Sequence, residues 1–330
     1  MVAILLIVIA SPAPRPQPLP KPIGLLARLA FTLPRLEPIT NWSFGDWNDR
    51  DPRAQLRQRL WWWAHRRAYD GPVTTDWYLG LKFNHHLAGD VSFCTYVNGR
   101  YEPNEMCAVA GLLRPGMTFV DVGANEGLFT LLASRLIGPT GAVHAFEPSP
   151  REAGRLAENI DLNGLANVRV HRVALGAAQG TAVLHVADVE HPGHNTLGGL
   201  VYHETKQAYS VDVPVLTLDQ VADQEGFERL DLLKIDVEGS ETAVLKGAQG
   251  VLRRFRPALL TEAQDESLRH MGSSVSELVE LLRKLDYAVW AFGESGRPEP
   301  VIDDKVSSLN IICLPQGTDL PAALISRGTG

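Results

Sequence analysis

Cysteine is scarce in this 330-residue chain, and its three positions form no pattern. Cys94, Cys107 and Cys313 are odd in number and lack metal-ligand spacing, so they point to neither a disulfide framework nor a zinc site. Buried structural thiols are the plain reading, and no metal ligands are assigned. Net basic charge is missing too. A formal charge of −7 argues against a broad nucleic-acid surface, because phosphate contacts need clustered Lys and Arg. Long apolar runs are also absent. The opening MVAILLIVIA is too short to span a bilayer and lacks the basic flank of a secretory signal. Pro-rich SPAPRPQPLPKP follows, so residues 1–22 read as a loose terminus and extended linker, and the expected location is cytoplasmic. There is no internal repeat.

What is present is enough apolar sequence, 45% of residues, for one large core or one domain with a smaller appendage. Asp51 to Tyr69 reads as a helix: Asp51 as cap, Pro52 at the first helical position, and Leu56, Leu60, Trp63 and Ala64 at helical spacing. Arg50, Arg53, Arg57, Arg59, Arg66 and Arg67 surround Trp61 to Trp63. Contact with membrane headgroups or an acidic partner is one reading of that helix. Tryptophans packed on the main domain are the other, and the preferred one. We expect residues 23–98 to form a short helical N-terminal extension and 99–330 the main domain.

From Met117 onward, strand-like runs at MTFVDV, AVHAF, VRVHRVAL, LDLLKID, PALLTE and YAVWAF alternate with helical stretches, and SLNIICL closes the series. That alternation predicts an α/β fold, a doubly wound and mostly parallel sheet with crossover helices. SPRE at Ser149 to Glu152 matches a capping box with Pro150 at the first helical position, and Asn163-Gly164 can end that helix. TAVLHVA and YSVDVPV read as extra β segments. The polar stretch between them, Asp188 to Ala208, carries His191, His194 and His203 and is too long for a simple hairpin, so we read it as a cover over a site.

In an open α/β sheet, ligands sit at the carboxyl ends of the strands near the point where strand order reverses. VDVGANEGLFT, from Val120 to Thr130, is a strand turning sharply into a helix there. Gly123 and Gly127 leave room for a ligand near the backbone, and Asp121 and Asn125 offer polar groups beside it. The dinucleotide pattern is lacking, since Asn125 and Leu128 stand where its second and third glycines belong, and no GK[ST] follows. The ligand therefore need not carry a pyrophosphate. Glu147, 20 residues beyond Gly127, can accept hydrogen bonds from both hydroxyls of a ribose, which suggests an adenosine-like nucleoside.

FVDVGANEGLFT, FEPSP, ENIDLNGLANV, ALG, VPVLTLD and KIDVEGSETAVLKGA occur in the order seen in FkbM-type methyltransferases, and the chain resembles that family from about Gly99 to Leu314. The resemblance implies a Rossmann-like, seven-stranded class I methyltransferase sheet and S-adenosylmethionine as cofactor. It implies that the Asp121 to Gly127 loop, Ala124 included, holds the methionine part of the cofactor. Glu147, beside Pro148, would hold the ribose, Ala174 and Leu175 would lie near the adenine, and Glu105 would reach the amino group. Members commonly modify hydroxyls of sugars, glycans or secondary metabolites, so a small-molecule or glycan acceptor is expected.

LLKIDVEGSE places Lys234, Asp236 and Glu238 at the end of the next core strand, on one side if the strand stays regular and apart if the chain turns at Val237. Asp236 could orient or deprotonate an acceptor hydroxyl, or simply pair with Lys234. Asp236 and Glu238 are the best candidates for the chemistry, with Asp236 also near the cofactor and His194 or Asn195 over the acceptor. Glu262 and Asp265 could join Asp236 around a magnesium ion, since oxygen ligands suit it, although spacing alone does not establish this. The rival readings are N- or carboxyl methylation, a cofactor-binding partner module without activity, and a nicotinamide dehydrogenase, the last disfavoured by the missing glycines.

Overall fold

A computed structural model describes residues 52–68, 71–201, 204–302 and 306–325. Helix α1 (Pro52–Ala68) is followed by a hairpin of β1 (Val73–Asp76) and β2 (Lys82–His85), then α2 (Asp90–Asn98) and α3 (Pro103–Leu112). Next come β3 (Thr118–Val122), α4 (Leu128–Ile137), β4 (Ala142–Phe146), α5 (Pro150–Asn163), β5 (Val168–His171), β6 (Ala174–Leu175), β7 (Gly180–Ala187) and β8 (Gln207–Leu216). The chain continues through α6 (Leu218–Glu225), β9 (Leu232–Ile235), α7 (Glu241–Lys246), α8 (Gln249–Phe255), β10 (Ala258–Glu262), α9 (Asp265–His270) and α10 (Val275–Lys284). It ends with β11 (Tyr287–Phe292), β12 (Pro298–Pro300), β13 (Asn310–Pro315) and α11 (Ala322–Ile325).

The main sheet has the order β12-β11-β13-β10-β9-β3-β4-β5. Strands β5, β4, β3, β9 and β10 run parallel, and β13 lies antiparallel between β10 and β11. Seven of these strands are the expected ones, and β12 adds a three-residue hairpin partner to β11 at the edge. Strand order reverses between β3 and β9, which opens a crevice at their carboxyl ends. Both strands are buried along their whole length. Val120, Val122, Leu233 and Ile235 feed one core, while Phe119 and Leu232 feed the core on the opposite face. Such two-sided burial explains why these strands read as continuous apolar runs rather than alternating ones.

Three local expectations need correction. VRVHRVAL is not one strand: it breaks after His171, and Ala174–Leu175 leaves the main sheet to join β8 and β7 in a three-stranded sheet. The Ser149 capping box does not form, because the Ser149 hydroxyl donates to the Glu152 carboxylate and makes no cap bond to the helix backbone. Pro150 at the start and Gly164 at φ 60 do frame α5 as read. A capping box stands instead at Thr217, whose Oγ1 accepts from Gln220 N at 3.1 Å while Gln220 Oε1 accepts from Thr217 N at 3.0 Å. Finally, the extension is not wholly helical, since it includes the β1–β2 hairpin.

That hairpin and α2 are fastened to the sheet domain by polar contacts. Lys82 N and Asn84 N donate to the side-chain oxygens of Asn163 and Asn159 on α5, at 2.7 and 2.9 Å. Ser92 donates to the buried Glu126 at 3.1 Å. Trp62 packs inward against Phe93 and Tyr96 of α2, with ring centroids 5.5 and 5.4 Å away. The residue 1–22 segment, the Asp51 cap and His203 lie outside the described residues. Among those described, no helix is long and apolar enough to cross a membrane.

Two glycines separate backbone necessity from mere tolerance. A Cβ on Gly123 (φ 82) would fall 1.8 Å from the Asp236 carbonyl oxygen, whereas one on Gly154, inside α5, would meet nothing within 4 Å. Gly123→Ala should therefore destabilise the protein by at least ~3 kcal/mol or prevent folding. Gly154→Ala should stabilise it by ~0.5–1 kcal/mol through helix propensity. Urea unfolding of both variants checks the contrast, and equal effects would contradict it.

Candidate active site

A cleft of about 260 Å³ opens at the carboxyl ends of β3, β4, β9 and β10, with β6 and the segment after β7 as its far wall. Its floor is set by the turn after β3. Gly123 N and Ala124 N both donate to Phe146 O at 3.0 Å, which binds the turn to the end of β4. Asn125 adopts φ 50, donates its backbone N–H to Glu147 Oε2 at 2.9 Å, and leaves its side-chain Oδ1 buried with no hydrogen-bond partner. Glu147 Oε1 accepts from Ser149 N at 2.8 Å. Each carboxylate oxygen keeps a lone pair for one hydroxyl of a ligand. Burial, followed by the neighbouring Glu152 carboxylate, pushes Glu147 up to about 8.

The expected site residues divide into two groups. Gly123, Ala124, Asn125, Glu147, Pro148, Ala174, Leu175, His194, Asp236 and Glu238 all line the cleft. Asp121, Gly127 and Glu105 do not. Asp121 is fully buried beneath it, accepting from Thr130 Oγ1 at 2.6 Å with Lys234 Nζ 4.0 Å away. Both glycines are required by chain packing, and Gly123 lines the cleft as well. Gly123 abuts the Asp236 backbone, and Gly127 (φ 97) abuts Leu156 of α5, where a Cβ would lie 2.6 Å from its side chain. Glu105 is buried within α3, and Glu102 lines the cleft in its place from a left-handed backbone (φ 47) just before that helix. An acid followed by a helix-starting proline, as in YEP, was the available signal for Glu102.

Strand β9 ends at Ile235, and the chain does turn at Val237, yet Lys234, Asp236 and Glu238 all still face the cleft. Glu238 takes φ 52 in that turn. Glu241 caps it, with Oε1 accepting from Val237 N and Gly239 N at 3.1 Å each; burial pushes this carboxyl up to about 7. Lys234 donates to Asp236 Oδ2 at 2.8 Å and lies over the Phe129 ring at 4.7 Å. Burial alone would lower this ammonium, but the Asp236, Asp121 and Glu102 carboxylates together hold it above the ordinary lysine range. Glu262, at the end of β10, also reaches the cleft. Asp265 does not join it, because it pairs with Arg269 at 2.5 Å and accepts from Val275 N at 3.1 Å at the surface.

The stretch after β7 covers the cleft from His191 to Leu197. Thr196 pairs with His185 of β7 and donates to the Glu238 carbonyl at 3.2 Å. The Asn195 side chain is structural: its Oδ1 accepts from Ala187 N at 2.9 Å and its Nδ2 donates to Glu152 at 3.0 Å. His194 lies 2.6 Å from Thr205 Oγ1, and burial, with help from His191, lowers its pKa. His191 is held by Asp188 at 3.0 Å. The extension meets this segment through Arg66 to Glu190 at 2.6 Å and through Gly89, where a Cβ would clash with Pro192.

The cleft suits a nucleoside bearing positive charge. Glu147 provides a hydroxyl-binding carboxylate, Ala174 and Leu175 provide an apolar wall, and the buried Asn125 Oδ1 awaits a donor. Joined to a parallel sheet with antiparallel β13 between β10 and β11, these features define the class I methyltransferase domain, which uses S-adenosylmethionine. The sequence model described as the methyltransferase FkbM domain matches residues 121–289, and the chain belongs to that family. It is 35% identical over 154 residues to Methyltransferase sdnD of Sordaria araneosa, a match covering 39% of this chain and 59% of that protein. The chain thus spans about three fifths of the length of that relative. Identity is 31% to the 31-O-demethyl-FK506 methyltransferase FkbM of Streptomyces tacrolimicus, across 54% of this chain and 75% of that one. It is 26% to the 2-O-methyltransferase NoeI of Sinorhizobium fredii, across 53% and 74%.

Glu147 sets a pH dependence for the ligand-free protein. Its folded pKa lies above its ordinary value of 4.5, so the folded state binds more protons than the unfolded one between 4.5 and about 8. This contribution to stability is full below 4.5 and is lost as pH rises through about 8. The thermal midpoint should fall across that window, and Glu147→Gln should flatten the fall. That variant should also start ~1–3 kcal/mol lower, because its amide meets one of the two backbone N–H groups without accepting it. An unchanged slope in calorimetric scans of the variant would remove Glu147 as the cause.

Proposed function

We propose that the chain transfers a methyl group from S-adenosylmethionine to a hydroxyl of a sugar, glycan or secondary metabolite. The observation that carries this reading is the meeting, in one cleft, of Glu147 with its apolar neighbours Ala174 and Leu175 at one end and the Asp236 carboxylate at the other. When bound, the cofactor supplies a methyl group on a sulfonium. The protein's part is positioning and proton handling. Glu147 accepts from the ribose hydroxyls, and the Asn125 side chain and the turn after β3 take the amino-acid end. Lys234 fixes the Asp236 carboxylate by donating to Oδ2, so that the acid meets the acceptor hydroxyl in one orientation and takes its proton as charge develops. His194 borders the acceptor side under the cover formed by His191 to Leu197. The names of the Streptomyces and Sinorhizobium relatives both place the transferred methyl on oxygen.

One observation favours a second reading. The acceptor end is rich in carboxylates, with Glu102, Asp236, Glu238 and Glu262 all facing it, and such a surface would also attract an amine and lead to N-methylation. Assays with methyl-labelled cofactor on matched panels of hydroxylated and amino sugars distinguish the two by which acceptors gain label. Label on neither, with S-adenosylhomocysteine bound, would leave a cofactor-binding module.

Glu147→Ala should weaken S-adenosylhomocysteine by ~1–3 kcal/mol, the worth of its two hydrogen bonds to the ribose hydroxyls. Asp236→Asn should bind it nearly as the wild type does and lose roughly 10²–10⁴ in turnover. Calorimetry and single-turnover rates read the two effects separately. Wild-type turnover in Asp236→Asn would exclude the acid from the chemical step.

A further inference from the structure

Charge is badly unbalanced in the cleft. Among the described residues lining it are seven carboxylates, Asp90, Glu102, Glu126, Glu147, Asp236, Glu238 and Glu262, against one lysine and no arginine. Glu126 is paired with Arg155 at 2.6 Å, and Lys234 is already engaged by Asp236 and Asp121. Among the described residues lining the cleft, Lys234 is the one lysine beside these acids, and its hydrogen bond goes to Asp236.

Three of these converge. Asp236 at the end of β9, Glu238 in the following turn and Glu262 at the end of β10 each offer a carboxylate oxygen within 4.8 Å of the others. Two ligands that each stand about 2.4 Å from one ion are at most about 4.8 Å apart, so this spread needs little or no closure to surround a single hard cation. A second, separate observation points the same way. Glu102 and Glu262 are half-buried as residues, yet the Oε2 of each is shut off from water and has no hydrogen-bond partner. Glu102 spends only Oε1, on Asn310 Nδ2 at 3.5 Å. Buried carboxylate oxygens without a partner are costly, and a cation facing them removes the cost.

We propose that Asp236, Glu238 and Glu262 hold a hard divalent cation, with Glu102 facing it across the cleft, and that its open positions take the oxygen of the acceptor. The inference rests on the hydroxyl reading above and sharpens it. An all-oxygen ligand set suits magnesium, manganese or calcium rather than zinc or copper. A bound dication would draw in a hydroxyl oxygen, make its proton easier to lose, and repel an ammonium group. The same carboxylates that would attract an amine when no ion is bound would then select for a hydroxyl. Asp236 would bind the ion through one carboxylate oxygen and, as in the reading above, take the hydroxyl proton as the oxygen–methyl bond forms and the sulfonium–methyl bond breaks.

The test uses the full chain, stripped of metal with a chelator and saturated with S-adenosylhomocysteine. Manganese is titrated in and the free ion followed by electron paramagnetic resonance. We expect one ion per chain with Kd in the range of ~10⁻⁶–10⁻⁴ M. Glu262→Gln and Glu238→Gln should each weaken it at least about tenfold. Asp265→Asn, outside the trio, should not change it. Calorimetric binding of S-adenosylhomocysteine to each variant shows that the fold and cofactor end are intact, and Glu238→Gln, in a turn, serves if Glu262→Gln fails to fold. Wild-type affinity in both glutamine variants, or no manganese bound below millimolar concentration in the wild type, overturns the cation site. Failure to bind S-adenosylhomocysteine at all would instead overturn the methyltransferase reading.

Discussion

The close approach of two strand ends governs this molecule. Where β3 and β9 lie side by side at the switch point, the backbone of Gly123 lies against the carbonyl of Asp236 so tightly that no side chain fits between them. The same strand pair sets Asp121 directly opposite Lys234, so opposite charges meet on one face of the sheet inside the core. Lys234 then reaches forward to Asp236. A buried ion pair rarely stabilises a fold much, because desolvation offsets the attraction. Its contribution here is placement: a carboxylate held in one orientation at the mouth of the cleft, bonded from below by an ammonium that cannot move.

From that fixed point the cleft extends in two directions with different physics. Toward β4, Glu147 and Asn125 are ordered by backbone hydrogen bonds before any ligand arrives, so binding at this end need not order loose side chains. Toward β10 and α3, Glu102 and Glu262 each bury a carboxylate oxygen that has no hydrogen-bond partner, close to Asp236 and Glu238. Preorganisation at one end and unpartnered carboxylate oxygens at the other is the pattern expected when one half of a site always meets the same ligand and the other half is completed by a group that the chain does not supply.

The sequence reveals these two halves unequally, for the same reason. Val120 to Thr130 and Phe146 to Pro148 are strand, tight turn and helix start in close succession, and each residue's type follows from a local demand that can be read without a structure. The rules still misled at single positions. Gly123 lines the cleft and also lies against the Asp236 backbone, whereas Gly127 makes room for Leu156 of α5 and not for a ligand. Ala174 and Leu175 reach the cleft only because the chain leaves the main sheet after His171, a break that an unbroken apolar run conceals. Glu105 and Glu102 differ by less than one helical turn, and it is Glu102, with its left-handed backbone, that lines the cleft while Glu105 is buried within α3.

The acceptor end was legible only in outline because it is assembled from residues far apart in sequence. Glu102, Lys234, Glu262 and Asn310 come together through sheet order, and no spacing rule connects them. The cover is likewise composite. Asn195 looked like a group aimed at the acceptor, yet the structure uses both ends of its amide to join Ala187 to Glu152, so it shapes the cover instead of reading a substrate. Pro192 rests on Gly89, Glu190 is held by Arg66, and Asp90 and Val91 line the cleft, so the N-terminal extension forms part of its wall. If the cover is tied to α1 and α2 in this way, acceptor preference depends on segments that lie outside residues 121–289, where the family match falls. Relatives that share the cofactor half can therefore differ in what they methylate without any change in the motifs by which the family is recognised.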